Sequence, residues 1–389
     1  MPLHLLVLCV PAFLVAAAGL LAGFVFLGSL RLPRVQRCGA ATLILPLTGE
    51  AAGLGDLLRA IEAQSLAPRR LLICLESRDD PAHARATRLA GETTLPIEIV
   101  IAGEASHCAQ KCRNQIAGLQ RIDAADQVVI LLDADIAPPR WWLSALATPI
   151  LDGSADVVTG YRWPTIDGGA FAAHLAAAID RGIALLPRLA GFQVTWGGSL
   201  ALSPAALARL GAGRVLADTL SDDCTIGAQA ATLGLRVLTR RALLVPTPAN
   251  GGVAAVWRFG RRQYQIIRVY RPGLWWLALL AVSARLLAWA ILLAQLEQWW
   301  ARLALLGLLA CALLATLLQT LVGRRLGFAE PPALTLGQAA LCLFRPLVDA
   351  FHWSLVVAAA DARRIRWGHI TYRVTGPAQI AIASRRRWP

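Results

Sequence analysis

Apolar and polar positions alternate in two different ways along this chain. From Leu5 to Leu30 no residue is charged, a run longer than the ~20 residues needed to cross a bilayer. Arg31, Arg34 and Arg37 follow it, whereas only His4 and the amino terminus precede it. A cleavable signal peptide is the competing reading, because Ala16, Ala17 and Ala18 lie inside the run. The run is too long for a signal core and has no Lys or Arg before it, so the pattern predicts an anchor with its basic flank in the cytoplasm. Further apolar blocks follow Arg271-Pro272. Leu274 to Leu296 is interrupted only by Arg285, and Leu303 to Val322 ends at Arg324-Arg325. Between these two, Glu297, Gln298 and Arg302 surround Trp299 and Trp300, residues suited to a membrane interface. The stretch Pro332 to Ala360 is broken by Arg345, Pro346, Asp349 and His352, which predicts a re-entrant or interfacial segment. Arg285 either faces a protein cavity or an anionic head group, or snorkels to the interface.

Residues 31–272 are patterned for a soluble block. Short β-rich runs (Ala41–Leu47, Leu71–Leu75, Ile97–Ile101, Val128–Leu132, Asp156–Tyr161, Leu235–Val245) alternate with helical ones (Leu54–Ala63, Ala82–Leu89, Trp141–Ile150, Pro204–Leu210). That alternation predicts an α/β domain with a mostly parallel sheet covered on both faces. The expected organisation is an anchor at 1–30, the α/β domain at 31–272 and two transmembrane helices at 273–325. The re-entrant segment and a basic cytoplasmic tail then occupy 326–389. The protein is expected in a membrane, the inner or cell membrane if bacterial, with the α/β domain cytoplasmic.

Composition sharpens this picture. Of the 389 residues 57% are hydrophobic and 16% charged, against about 25% charged in soluble domains; an ordinary soluble globule and a disordered chain are both excluded. The net charge of +14 suits nucleic acid, but many of the Arg residues flank apolar segments, and no nucleic-acid partner is expected. Lys111 is the single lysine. Eight cysteines lie scattered without paired metal-ligand spacing and read as reduced, small hydrophobes.

In parallel α/β sheets ligands bind beyond the carboxyl ends of the strands, so the polar residues there count most. No dinucleotide or P-loop glycine motif is present. Past Val128–Leu132 stand Asp133, Ala134 and Asp135, two acids spaced to point at one hard cation such as Mg²⁺ or Mn²⁺; a turn or helix cap before Trp141 is the alternative. Glu76, Asp79 and Asp80 follow the second strand, where a plain polar turn competes. Ser221-Asp222-Asp223 precedes a helix-like run that it could cap. Lys111 and Asn114 offer a cation for a diphosphate and an amide, or else a solvated helix face. Trp196, Gly197 and Gly198 offer an aromatic plate and a close backbone approach, or a simple turn. Gln265 and Arg268 share one helical face near the apolar blocks, where a surface-lying basic helix is the competing reading.

Taken in order, these features resemble a membrane-bound GT-A glycosyltransferase of the family 2 superfamily, most nearly its ceramide glucosyltransferase branch, glycosyltransferase family 21. Leu45-Pro46-Leu47-Thr48-Gly49 resembles the opening strand and phosphate-side turn. Asp79-Asp80-Pro81-Ala82 is similar to the first aspartate motif, and Lys111 and Asn114 match the residues before the metal strand. Asp133-Ala134-Asp135 matches the metal motif, and Asp222-Asp223 stands where the branch has Glu-Asp. Gln265-Ile266-Ile267-Arg268 matches the closing motif, with Val269 in place of its Trp. Ile365-Arg366-Trp367 and Tyr372-Arg373 resemble the closing segment.

The resemblance implies an inverting hexosyltransferase that moves a sugar from a UDP-sugar to a membrane lipid, ceramide or a hopanoid or diacylglycerol lipid, as in glycolipid and sphingolipid metabolism. Asp133 and Asp135 would hold the metal, Asp223 would be the base, and Arg268 and Gln265 would assist catalysis. Pro46, Lys111, Asn114 and Asp133 would meet the nucleotide sugar, with Asp80 or Glu76 near the uracil. Trp196, Gly197, Gly198 and Asp222 would meet the acceptor. A processive polysaccharide synthase and a non-catalytic membrane scaffold are the alternatives.

Overall fold

The computed structural model describes residues 3–33, 36–187, 195–249 and 251–388. Arg34, one of the expected anchor-flanking cations, lies outside the described residues. In chain order the elements begin α1 (Leu3–Ser29), β1 (Ala41–Pro46), α2 (Leu54–Glu62), β2 (Arg70–Leu75), α3 (Pro81–Ala90) and β3 (Ile97–Ile101). They continue α4 (Gln110–Leu119), β4 (Val128–Leu132), α5 (Trp142–Leu151), β5 (Val157–Thr165), α6 (Phe171–Ala184) and β6 (Ser199–Leu202). Next come α7 (Pro204–Leu210), α8 (Ala212–Val215), α9 (Asp222–Thr232), β7 (Val237–Pro248), α10 (Val253–Tyr270) and α11 (Pro272–Ala294). The last are α12 (Trp299–Arg325), α13 (Pro332–Leu341), α14 (Arg345–Ala358), β8 (Arg364–Trp367), β9 (Ile370–Gly376) and β10 (Gln379–Arg385).

The chain folds as two compact units. One, the sheet unit, comprises Arg31–Arg162, Arg188–Thr247 and Ala362–Pro389; the other, the helical unit, comprises Met1–Leu30, Trp163–Pro187 and Pro248–Asp361. These bounds depart from the expected ones. Residues 163–187 and 248–272 go with the helices, and the basic tail goes with the sheet.

A seven-stranded sheet in the order β3-β2-β1-β4-β6-β5-β7 organises the first unit. Strands β1, β2, β3 and β4 are parallel, and β6 runs antiparallel to both β4 and β5. The central strands read as unbroken apolar runs because both of their faces are covered; every residue of β4 is fully buried. Strand order turns round at β1, with β2 and β3 on one side and β4 on the other, so the crevice beyond the carboxyl ends of β1 and β4 is the natural ligand position. Pro46 ends β1, Glu76 follows β2 and Asp133 follows β4. The expected strands and helices form within a few residues of their predicted ends. Strand β5 continues to Thr165, and β6 occupies Ser199–Leu202, where the sequence predicted only a turn. The tail pairs as a second sheet, β10-β9-β8, antiparallel throughout.

Among the described residues four helices are long and apolar enough to cross a membrane: His4–Ser29, Pro272–Ala294, Trp299–Arg325 and Pro332–Ala358. Helix α1 packs against α11 and α12 through a cluster that includes Cys9, Ala12, Trp289, Leu292 and Leu308. In the last stretch a 3₁₀ turn at Cys342–Phe344 links α13 to α14, so the helix changes type just before Arg345-Pro346. Arg285 has a protein partner. Its Nη2 lies 3.1 Å from Asp349 Oδ1, which Arg345 Nε also meets at 3.1 Å, while Trp289 Nε1 donates to Asp349 Oδ2 at 2.9 Å. Two guanidiniums thus share one carboxylate within the helical unit, so none of these three charges stands alone among apolar helices. All eight cysteines are free thiols.

Helix α4 lies close enough to β1 and β2 to need a glycine. A Cβ added at Gly118 would stand 2.6 Å from Ile44 Cγ2 and 2.9 Å from Cys74 Sγ. Gly118→Ala should therefore destabilise the protein by about 1–3 kcal/mol through overpacking, read as a lower melting temperature in detergent.

Candidate active site

Lys111 sits in the first turn of α4, a position where the helix dipole disfavours a cation. Two carboxylates hold it there. Its Nζ is 2.7 Å from Asp133 Oδ1 and 3.1 Å from Asp222 Oδ2. Asp133 comes from the turn after β4, and Asp222 from the first turn of α9, where a negative charge suits the dipole. Gln115, one turn along α4 from Lys111, donates to Asp222 Oδ2 at 2.7 Å and completes its coordination. Burial opposes the charge of Lys111, but Asp133, Asp222 and Asp223 outweigh it and hold the ammonium well above the ordinary lysine value. It is a fixed cation.

Asp223 stands beside this network. Its Oδ2 accepts from the Gly197 backbone N–H at 3.1 Å, and its Oδ1 accepts from the Ser221 hydroxyl and from Cys224 N–H at 2.7 Å. Burial, then the neighbouring Asp222 charge, raise its carboxyl above the ordinary carboxylate range. Gly197 is required in this place: a Cβ there would lie 2.6 Å from Asp222 Oδ2 and 2.8 Å from Lys111 Nζ. At Gly198 a Cβ would meet the Trp196 ring at 2.3 Å, so the indole folds over that glycine, tilted against Tyr161 at a centroid distance of 6.3 Å. Asp135 is exposed, although the protein around it is dense enough to act on its charge. Desolvation by that surrounding protein, then the Asp133 charge, raise its carboxyl, while Arg162 and Lys111 pull the other way. Neither Asp133 nor Asp135 caps α5, which begins without a side-chain cap.

The sheet unit therefore brings Lys111, Asp133, Asp222, Asp223 and Gly197 into one network, with Asp135 in electrostatic reach of it. Other predicted residues are tied elsewhere. Asn114 is buried and donates to Leu47 O at 3.3 Å and Cys74 O at 3.0 Å, fastening the ends of β1 and β2. Asp80 caps α3 through Ala82 N–H at 3.0 Å and accepts from the Thr48 hydroxyl and the Gly49 N–H, both at 2.8 Å, which folds the loop after β1. Glu76 is buried and ion-paired to Arg385 of the tail. Asp222, expected against the acceptor, is 1% exposed and has its carboxylate taken up by Lys111 and Gln115. Pro46 is half-buried at the end of β1.

Gln265 and Arg268 belong to the helical unit, on α10. Gln265 Nε2 donates to Asp361 O at 2.8 Å, and the Arg268 guanidinium stands 4.4 Å from the Trp275 ring centroid. Gln115 was missed from the sequence; Ser221 reads there as a helix cap and Trp367, whose ring centroid lies 5.9 Å from Lys111 Nζ, only as part of the closing segment. Only the i, i+4 spacing of Gln115 from Lys111 could have signalled the first.

Removing the ammonium would leave Asp133 and Asp222 without their shared counter-ion. Lys111→Ala should cost about 3–5 kcal/mol of stability, and adding Asp222→Asn should recover part of it. A double-mutant cycle of thermal melting in detergent reads that coupling directly.

Among solved structures the chain resembles a mannosyltransferase from Pyrobaculum calidifontis, in complex with GDP-Man and Mn²⁺. The identity is 19%, covering 91% of this chain and 97% of that one, at a TM-score of 0.48. It also resembles glucosyl-3-phosphoglycerate synthase from Mycobacterium tuberculosis, in complex with Mn²⁺, UDP-Glc and glycerol 3-phosphate, at 16% identity, 58% of this chain, 77% of that one and a TM-score of 0.36. No curated protein matches the chain. The family model for glycosyl transferase family 21 matches residues 5–380, so nearly the whole chain, apolar helices and tail included, is accounted for by one family: the chain belongs to glycosyl transferase family 21.

Proposed function

We propose that this glycosyltransferase moves a hexose from a UDP-sugar to a hydroxyl of a membrane lipid, ceramide or a similar amphiphile, with inversion at the anomeric carbon. One observation carries the reading: a permanently charged lysine is held by Asp133 and Asp222 next to Asp223, an aspartate with a raised pKa. A nucleotide sugar already carries its leaving group. The enzyme must supply positive charge for the departing diphosphate and a base for the attacking hydroxyl, and Lys111 and Asp223 suit these two roles.

Asp133 and Asp135 fit a hard divalent cation. Both donors are oxygens, they lie two residues apart at a strand end, and the Asp133 charge helps to raise Asp135, a repulsion that a cation would relieve. Among the described residues no group of three His, Cys, Asp or Glu side chains stands close enough to hold a metal, so diphosphate oxygens and water would have to complete the shell. Bound there, Mg²⁺ or Mn²⁺ would act as a Lewis acid toward the diphosphate. Lys111 contributes a second positive charge in a fixed place, which preorganised catalysis requires. Asp223, oriented by Gly197, Ser221 and Cys224, accepts the proton of the acceptor hydroxyl. The four apolar helices in the same chain support a lipid acceptor, which can present its head group without leaving a bilayer.

Asp223→Asn should lower turnover of a UDP-hexose with a lipid acceptor by about 10²–10⁴-fold while leaving donor binding intact. Measured against a panel of UDP-glucose, UDP-galactose and GDP-mannose with mixed lipids, equal background in both forms overturns the proposal. The base must be ionised, and its folded-state pKa is raised. Activity should therefore fall as pH drops through a midpoint above the ~3.9 of an ordinary aspartate, seen as the acid limb of kcat/KM. Chelation with EDTA should abolish turnover, and Mn²⁺ or Mg²⁺ should restore it in the unmodified protein but not in Asp135→Asn.

A further inference from the structure

The tail sheet has two unlike faces. On one, Ile365, Tyr372 and Val374 are buried. Tyr372 of β9 accepts there from the Gln110 N–H at 3.0 Å, at the start of the helix that bears Lys111. Arg385 of β10 pairs with Glu76 and donates to Ala105 O at 2.8 Å. The other face is cationic. Arg364 stands directly opposite Arg373 across β8 and β9, and Arg366 opposite Thr371, so three guanidiniums leave the sheet on the same side. All three arginines are exposed, as are Arg386 and Arg387 just after β10. From residue 362 to 389 the chain has seven arginines and no aspartate or glutamate. Asp218 borders this face: it lines a cavity of about 320 Å³ with His107, Arg373 and Thr375, but forms no ion pair with Arg373.

Like charges directly opposite each other in a sheet repel and cost stability. Charges on an outer strand guard it against pairing with other chains, which explains arginines on β8. It does not explain Arg373, because β9 is the central strand. A polyanion that covers the face would relieve the repulsion. The chain itself brings one near. Only residues 359–363 separate the end of α14 from Arg364, a link of about 20 Å at full stretch. Helix α14 belongs to a stretch long and apolar enough to cross a membrane, so a bilayer that takes up this stretch has the first cationic strand tethered beside it. Nucleic acid is the competing polyanion. Single strands are held by aromatic rings set among the charges, whereas the neighbours of these arginines on the exposed face are Thr371, Thr375 and Ala381.

We propose that the outward face of the tail sheet, built on Arg364, Arg366 and Arg373, docks on the anionic surface of a lipid bilayer. This goes beyond the glycosyl-transfer reading and does not depend on it. Arg373 and Tyr372 are neighbours on one strand, so lipid contact on one face steadies the residue that meets the start of α4 on the other.

The test uses the purified full chain in nanodiscs of phosphatidylcholine alone, or of phosphatidylcholine and phosphatidylglycerol in equal parts. A fluorophore on Ser384→Cys, with the signal of the native thiols subtracted, reports contact through quenching by a nitroxide on a lipid head group. Quenching should be stronger in the phosphatidylglycerol discs and should fall back as salt is raised. Arg366→Gln and Arg373→Gln should each lower the ratio of docked to free sheet about fivefold. Arg366→Lys and Arg373→Lys, which keep the charge, should dock like the parent. Equal quenching in the two discs, or quenching indifferent to salt, overturns the inference without recourse to any arginine variant. Glutamine variants that dock like the parent, or lysine variants that fail as the glutamine ones do, overturn it as well. Polyuridylate that binds the chain in phosphatidylcholine discs through the same arginines overturns it in favour of nucleic acid.

Discussion

One ammonium group between two carboxylates organises the sheet unit of this protein. Lys111 opposes the dipole of its own helix and is largely withdrawn from water, so nothing local to α4 favours it there. Its charge is tolerable only because Asp133 and Asp222 arrive from two distant parts of the chain. The requirement is mutual, since two close carboxylates without a cation would each resist ionisation. Satisfying both sides fixes the turn after β4, the start of α4 and the start of α9 to one point. Asp223 takes its position from that arrangement. It follows Asp222 in the same first helical turn and is held by the backbone of Gly197, whose missing side chain makes room for the other two groups.

The sheet supplies the rigidity this junction needs. β1 and β4 are adjacent and parallel, and their carboxyl ends open on the same side. Asn114, which the sequence offered for nucleotide contact, joins the ends of β1 and β2. Asp80, offered for the same purpose, shapes the loop after β1. Both residues hold backbone at the ends of β1 and β2, a role that residue type and spacing do not announce.

That difference marks where the sequence was readable. Strands β1, β2 and β4 are covered on both faces, and their apolar runs were visible as such. The acids beyond β4 and the lone lysine stood out because charged residues are scarce in this chain. The short β6, by contrast, follows a Gly-Gly pair and has only four residues, so local propensity reads it as a turn, and only pairing with β4 and β5 makes it a strand. The tail was legible as charge but not as structure, because its arginines hide the alternation of Ile365, Ile370, Tyr372, Val374 and Ile380, which are buried. Likewise Arg285 and Asp349 looked like interruptions of apolar helices. Their pairing is a contact between segments far apart in sequence, which no periodicity reports.

The return of the tail to the sheet unit has a consequence for the order of assembly. β9 and β10 supply Tyr372 and Arg385 to a surface built largely from residues before 120. On a ribosome the strands of that surface are made early, but these two partners emerge only after every apolar helix has been synthesised. Until then Glu76 has no guanidinium beside it and the start of α4 lacks its phenol. Maturation of the sheet unit is therefore timed by the manufacture of the helical one, and a nascent chain cannot finish the first before the apolar helices of the second exist.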